Sequence, residues 1–337
     1  MRFLLPFLLA ASLPAAAQSP RFTHIGRITW HAPAFTQLVA ANAQIEVLAA
    51  GLGHLEGPVW VADSSMLLFS DTQTQTLYRW TAARGLSKFL EKSGYTGRLP
   101  YSKEPGSNGL ALDGRGNLLL CEHGDRRLAR LPLAGQSGKM TVTDNFEGRR
   151  YNSPNDVLLH PNGSLYFTDP PYGLPQQERD PQREIDVAGV YRLDSKGLVT
   201  REISELSRPN GLATTADGRT LYISESDSLK PRIWAYEVKT NGKLEKGRVF
   251  FDMSSLPRPR YKEQPDGLKV DRAGNVWATG FGGISVISPT GQLLGSIDTG
   301  EVVANCAWGD DGRTLYIASG TFLCRLKTNA QGVAAGK

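Results

Sequence analysis

The sequence predicts an all-β chain, a six-bladed β-propeller with a central metal site. One phrase recurs six times, tight-turn residues punctuate each copy, and the apolar runs are too short for helices. Each copy has a polar anchor, a small residue, an apolar run, a glycine turn and a second apolar run. The copies start at Glu56 (EGPVWVADSSMLLFSD), Asn108 (NGLALDGRGNLLLCEH), Asn155 (NDVLLHPNGSLYFTD), Asn210 (NGLATTADGRTLYISES), Asp266 (DGLKVDRAGNVWATG) and near Ala304 (ANCAWGDDGRTLYIAS).

Each copy reads as two short strands joined by a D-G, N-G or G-R-G turn, where glycine supplies positive φ and Asn or Asp tolerates it. Weaker runs at Thr76 to Trp80, Gly189 to Leu193 and Ile233 to Val238 complete four-stranded sheets. Sheets of this size repeated radially make a propeller, which must close on itself to avoid a free edge. Ile45 to Ala49 is placed to close it by joining the sheet that contains Phe322 to Leu326. The expected organisation is a leader at 1–17, an extension at 18–44, the propeller at 45–327 and a tail at 328–337.

The leader is read from Arg2, the apolar stretch Phe3 to Leu13 and the small residues Ala15-Ala16-Ala17. It predicts export, to a periplasm or beyond, with a mature chain starting near Gln18. The stretch is too short to span a bilayer, and no later segment approaches the roughly 20 apolar residues that spanning needs. A net charge of +5 with scattered basic residues argues against nucleic acid as a partner. Cys121, Cys306 and Cys324 show no metal or disulfide spacing and read as small buried hydrophobes. Oligomeric state is not legible.

In a propeller the first strand of every blade lines the channel. Equivalent anchors therefore converge, and Glu56, Asn108, Asn155, Asn210 and Asp266 face one centre, with Ala304 or, after a one-residue shift, Asn305 as the sixth. Any single Asn-Gly or Asp-Gly would be an ordinary turn. Recurrence at one position, with Glu and Asp substituting, points instead to a cation, because two carboxylates packed with amides repel unless one lies between them. All-oxygen donors suit Ca²⁺, ahead of Mg²⁺, Mn²⁺ and Zn²⁺; zinc is disfavoured because no His or Cys falls at an anchor. The second strand returns to the same rim, so Asp71, Glu122-His123, Asp169 to Tyr172, Glu225-Ser226 and Gly280-Phe281 should ring a substrate pocket. His54 and His123 are the histidines nearest it.

With LEGPVW, NGLALD, CEHGDRR, SPNDV, YFTDPPYG, GVYRLD, RPNGLA, PDGLKVD and VVANCAWG, the chain resembles the gluconolactonase, senescence-marker-protein (regucalcin) and luciferin-regenerating-enzyme family, closest to its bacterial gluconolactonases. The likeness runs from about Ile45 to Leu326. It implies a six-bladed propeller with calcium on Glu56, Asn210 and Asp266, Asn155 on metal or substrate, and Asp266 as catalytic base as well. Animal members carry an Arg two residues before the Asn of N-D; here it is Ser153, which leaves the substrate open.

The expected activity is hydrolysis of a small-molecule sugar lactone to the aldonic acid. Asn108, Asn155, His123 and Tyr172 would bind substrate, and Asp266, or else Glu122 or Asp169, would deprotonate water. The cation would stabilise the developing oxyanion. No G-x-S-x-G elbow supports a serine nucleophile. Two alternatives stay open: a phosphotriesterase using the same cation, and a non-catalytic exported propeller that binds glycan or protein.

Overall fold

In the computed structural model, which describes residues 23–135, 138–257 and 263–333, six sheets are arranged radially as a six-bladed propeller. The expected leader at 1–17 lies outside the described residues. Blade one comprises Leu55–Val61, Met66–Asp71, Thr76–Thr81 and Gly85–Glu91, and blade two Ser107–Leu112, Asn117–Glu122, Arg127–Pro132 and Met140–Thr143. Blade three is Val157–Leu159, Leu165–Asp169, Gly189–Leu193 and Val199–Ile203. Blade four is Pro209–Thr214, Thr220–Glu225, Arg232–Val238 and Leu244–Asp252. Each of these four blades is an antiparallel meander, and each inner strand neighbours the inner strands of the adjoining blades, closing a ring around the axis.

Blades five and six each borrow a strand from the start of the chain. Blade five, Leu268–Val270, Val276–Gly280, Gly283–Ile287 and Leu293–Asp298, is bordered by Arg27–Trp30. Blade six, Val303–Gly309, Thr314–Ser319 and Phe322–Lys327, is completed by Ile45–Ala49 and then Thr23–Ile25. Leu326 pairs with Ile45 and Cys324 with Val47, which is the closure the sequence leads one to expect. Residues of the expected extension and tail thus take part in the sheet system: the Val333 N–H donates to the Val270 carbonyl at 3.2 Å, and Gly332 bridges Asp271.

The second strand of each blade is apolar at successive positions because neighbouring blades cover both of its faces. Val59 and Leu68 of blade one pack with Leu118 and Leu120 of blade two, while Leu55, Phe69 and Trp80 meet Tyr316 and Ala318 of blade six. All three cysteines are buried and free, as small hydrophobes would be. Among the described residues no helix is long and apolar enough to cross a membrane.

Candidate active site at the channel mouth

The turn glycines and the anchor glycines have different jobs. Gly116 (φ 81°), Gly163 (φ 84°) and Gly218 (φ 68°) occupy the left-handed region in the inner hairpins. The glycine that follows the anchor in four of the blades instead faces the next blade. A Cβ on Gly57 would lie 2.3 Å from the Asn108 carbonyl oxygen, one on Gly109 2.6 Å from that of Asn155, and one on Gly211 2.4 Å from that of Asp266. The anchor-glycine dipeptides are therefore contact points between adjacent inner strands, and only Gly57 among these three has positive φ.

Hydroxyls lock the anchors in place. Ser70 Oγ donates to the Asn108 carbonyl at 2.8 Å, Thr168 Oγ1 to that of Asn210 at 2.8 Å, and Thr279 Oγ1 to that of Ala304 at 3.0 Å. Ser224 Oγ donates likewise to the Asp266 carbonyl. Each hydroxyl comes from the second strand of one blade and each carbonyl from the anchor of the next. Cys121 stands at the same position of blade two, where burial holds its thiol well above the usual range.

This pattern settles the sixth anchor. The Ala304 carbonyl also accepts the Gly267 N–H at 2.8 Å, as the Asn155 carbonyl accepts that of Gly109 at 2.7 Å. Ala304 is thus the anchor, and Asn305 takes the place that glycine holds in four other blades. Blade three departs in the same way, with Asp156. Both side chains use space that glycine leaves open: a Cβ on Gly109 would meet Asp156 Oδ1 at 2.5 Å, and one on Gly267 would meet Asn305 Cγ at 2.2 Å. Asp156 and Asn305 are site residues that the repeat pattern alone does not assign, although their break with the glycine column is visible in it.

The acids following the hydroxyls are structural. Asp71 accepts the backbone N–H groups of Gly53 and His54 at 2.9 and 3.3 Å, Asp169 those of Asn152 and Ser153 at 2.8 Å each, and Glu225 that of Ser207 at 3.0 Å. Each pins the loop that delivers an anchor two or three residues later. Glu122 is held in ion pairs with Arg127 and Lys139. Glu122 and Asp169, read from the sequence as reserve bases, are occupied in this way. Ser153 is also engaged: its Oγ donates to the Pro170 carbonyl at 2.6 Å and accepts the Gly173 N–H at 2.9 Å.

What stays unengaged is the anchor chemistry. Asn155 Oδ1 and Asp266 Oδ1 are buried and have no hydrogen-bond partner. Glu56 Oε2 accepts the Gly57 N–H and Asn305 Nδ2, both at 3.0 Å. Asn210 Nδ2 donates to Ser226 Oγ at 3.1 Å, and the Asn210 amide lowers the proton affinity of the Asp266 carboxyl. Burial, and then the charges of Glu56, Asp156 and Glu104, hold the Asp266 carboxyl well above the usual range. Burial raises Glu56 too, against the lowering influence of His54. Asn108 is buried in the same ring of inner strands.

Two rim residues expected to meet substrate lie nearby. His123 is buried, and its Nδ1 lies 3.1 Å from the Glu104 carbonyl. A carbonyl only accepts, so Nδ1 carries the proton and Nε2 presents a lone pair; Nε2 has no partner. Burial lowers the proton affinity of this imidazole, which favours the neutral form. Tyr172 feels the Asp266 charge and lies under the Arg208 guanidinium, 5.6 Å from the ring centroid.

Among the described residues no three His, Cys, Asp or Glu side chains form a metal-binding group. The anchor ring is a different donor set, two carboxylates with amide oxygens. At the opposite end of the channel is a cavity of about 780 Å³, lined by Trp60, Leu112, Arg115, His160, Lys269 and Trp308 among others.

Comparison with known proteins agrees with this architecture. The model of the SMP-30/Gluconolactonase/LRE-like region matches residues 55–321. Gluconolactonase of Zymomonas mobilis subsp. mobilis is 36% identical over 334 residues, covering 96% of this chain and 92% of its own. The solved structure of XC5397, a gluconolactonase from Xanthomonas campestris, superposes with a TM-score of 0.77 at 29% identity, covering 92% of this chain and 98% of that one. The calcium-binding protein regucalcin from Agrobacterium tumefaciens shares the fold at 19% identity and a TM-score of 0.67, over 86% of this chain and 95% of that one.

Proposed function

The chain belongs to the SMP-30/gluconolactonase/LRE-like family, and from that premise we propose that its channel mouth hydrolyses a sugar lactone with the help of one divalent cation, calcium. Its relatives named gluconolactonase, lactonohydrolase and pentonolactonase support a lactonase, acting on a carboxylic ester closed into a ring.

One observation carries the cation. Two buried acceptor oxygens, Asn155 Oδ1 and Asp266 Oδ1, lack any donor, in a ring where the Glu56 charge raises the proton affinity of Asp266 and the Asp156 charge raises that of both. A buried acceptor without a donor is costly, and neighbouring carboxylates are costlier still. A hard cation held by Glu56, Asn155, Asn210 and Asp266 would relieve both, and an all-oxygen set favours calcium. Bound there, it would supply Lewis acidity toward the lactone carbonyl.

The protein's own groups account for the remaining chemistry. Asp266 would remove the proton from the attacking water through the carboxylate oxygen that the cation leaves free. Asn210 steadies that carboxyl through its amide. Neutral His123 offers Nε2 as an acceptor, which suits a substrate hydroxyl and so a sugar. Tyr172 and Asn108 border the substrate. The apolar leader supports a further proposal, that the enzyme works after export.

A pH-stat assay with a panel of aldonolactones, run with EDTA and then with calcium restored, tests the reading. Hydrolysis should stop with chelator and return with calcium. Turnover that ignores EDTA would remove the cation, and silence on every lactone with calcium bound would remove the reaction.

A further inference from the structure

Lys269 lies three residues beyond the anchor Asp266 on the inner strand Leu268–Val270 of blade five, at the neck between the anchor ring and the far cavity. Its ammonium donates to the Leu268 carbonyl at 3.0 Å and approaches Asn305 Oδ1 at 3.4 Å. Asn305 Oδ1 also accepts the Cys306 N–H at 2.9 Å, so the opposite end of the amide, Nδ2, turns to Glu56 Oε2 at 3.0 Å. A cation on one side of the amide and a carboxylate on the other leave it one sensible orientation. The same ammonium acts through space on Asp156, whose carboxylate is held by the N–H groups of Val157 and Leu212 at 2.9 and 3.2 Å.

The charge balance is uneven without it. Glu56 and Asp156 are buried, and Asp266 is only partly open to the channel. Among these three, one ammonium leaves two negative charges, the complement of one divalent ion, and Glu104 adds a further negative charge that acts on Asp266. On the reading that the anchors hold a divalent cation, we propose that Lys269 is a positioning residue and resident counter-charge: it steers Asn305 onto Glu56, cancels one carboxylate, and so limits how tightly the added cation is held. An ammonium repels a nearby cation, and in a site shielded from bulk water that repulsion is strong.

Calcium titration calorimetry on the purified chain tests this without reference to turnover. Lys269→Met should tighten calcium binding by roughly tenfold, and Asp156→Asn should weaken it by about as much. The double variant, which restores the original charge, should return to within about threefold of the parent affinity. Lys269→Gln keeps a donor for Asn305 without the charge and should behave like Lys269→Met; it also serves if the Met variant does not fold. Calcium should raise the thermal midpoint more in both Lys269 variants than in the parent. Affinity that is unchanged or weaker in Lys269→Met and Lys269→Gln overturns the proposal. If the parent binds no calcium, the cation reading and this inference fail together. If it binds calcium but opens no lactone, the lactonase reading alone fails.

Discussion

The Thr168 hydroxyl of blade three accepts the Asp156 N–H at 3.1 Å and donates to the Asn210 carbonyl of blade four at 2.8 Å. One side chain thus satisfies a backbone group on each of two adjoining inner strands. Thr168→Val keeps the shape and strands both groups, so a loss of about 2–3 kcal/mol is expected. Urea denaturation would measure it, and Thr168→Ser should recover most of it. If the valine variant is as stable as the parent, the inter-blade hydroxyl is not a fastening.

Glycines of the two kinds should respond differently to alanine. At Gly163 the added methyl meets nothing within 4 Å, so only the backbone conformation objects, at about 1 kcal/mol. At Gly211 φ is ordinary but the methyl would lie 2.4 Å from the Asp266 carbonyl oxygen. Gly211→Ala should cost more, about 1–3 kcal/mol, and should lower kcat because the base moves with its strand. Equal stability losses with unchanged turnover would contradict the assignment.

Burial pushes the Asp169 carboxyl up to about 7, although the N–H groups of Asn152 and Ser153 pull it down. The folded chain therefore keeps a proton that the unfolded chain releases from about pH 4 upward. Stability from this group is present at low pH and lost as pH rises toward 7, at about 1.4 kcal/mol per unit of displacement. Denaturation midpoints at pH 5 and 7.5 should differ less in Asp169→Asn than in the parent, even if the variant is weaker at both. A difference as large in the variant would assign the dependence elsewhere.

His123→Phe keeps the bulk of the ring and removes the Nε2 acceptor. If that atom receives a substrate hydroxyl, KM should rise about tenfold with kcat changed less, in line with the loss of one buried hydrogen bond. An unaltered KM on every lactone would remove His123 from substrate recognition.

The blades and the ring of anchors are legible in the sequence because both are repeated. Six copies of one phrase reveal a column, and a column in a propeller is a circle. Asp156, Asn305 and Lys269 are harder to see because each differs from its counterparts in the other blades, and their partners come from distant parts of the chain. Asn305 and Glu56 are hydrogen-bonded across 249 positions of sequence. The acids after the second strands mislead for the opposite reason. Their column is real, but it serves the loops ahead of the anchors, as Asp71 and Asp169 do with the N–H groups they accept. A carboxylate near a rim says nothing of its duty until its acceptor capacity has been counted.

Phe322–Lys327 sits between Thr314–Ser319 on one side and Ile45–Ala49 on the other. The circle therefore cannot be completed during synthesis until Phe322–Lys327 has emerged, and the early strand must wait with an unpaired edge. Such distant pairing makes for slow assembly. Under the proposal that the chain is exported, that delay would keep it unlocked, and able to pass a narrow pore, until Phe322–Lys327 is made.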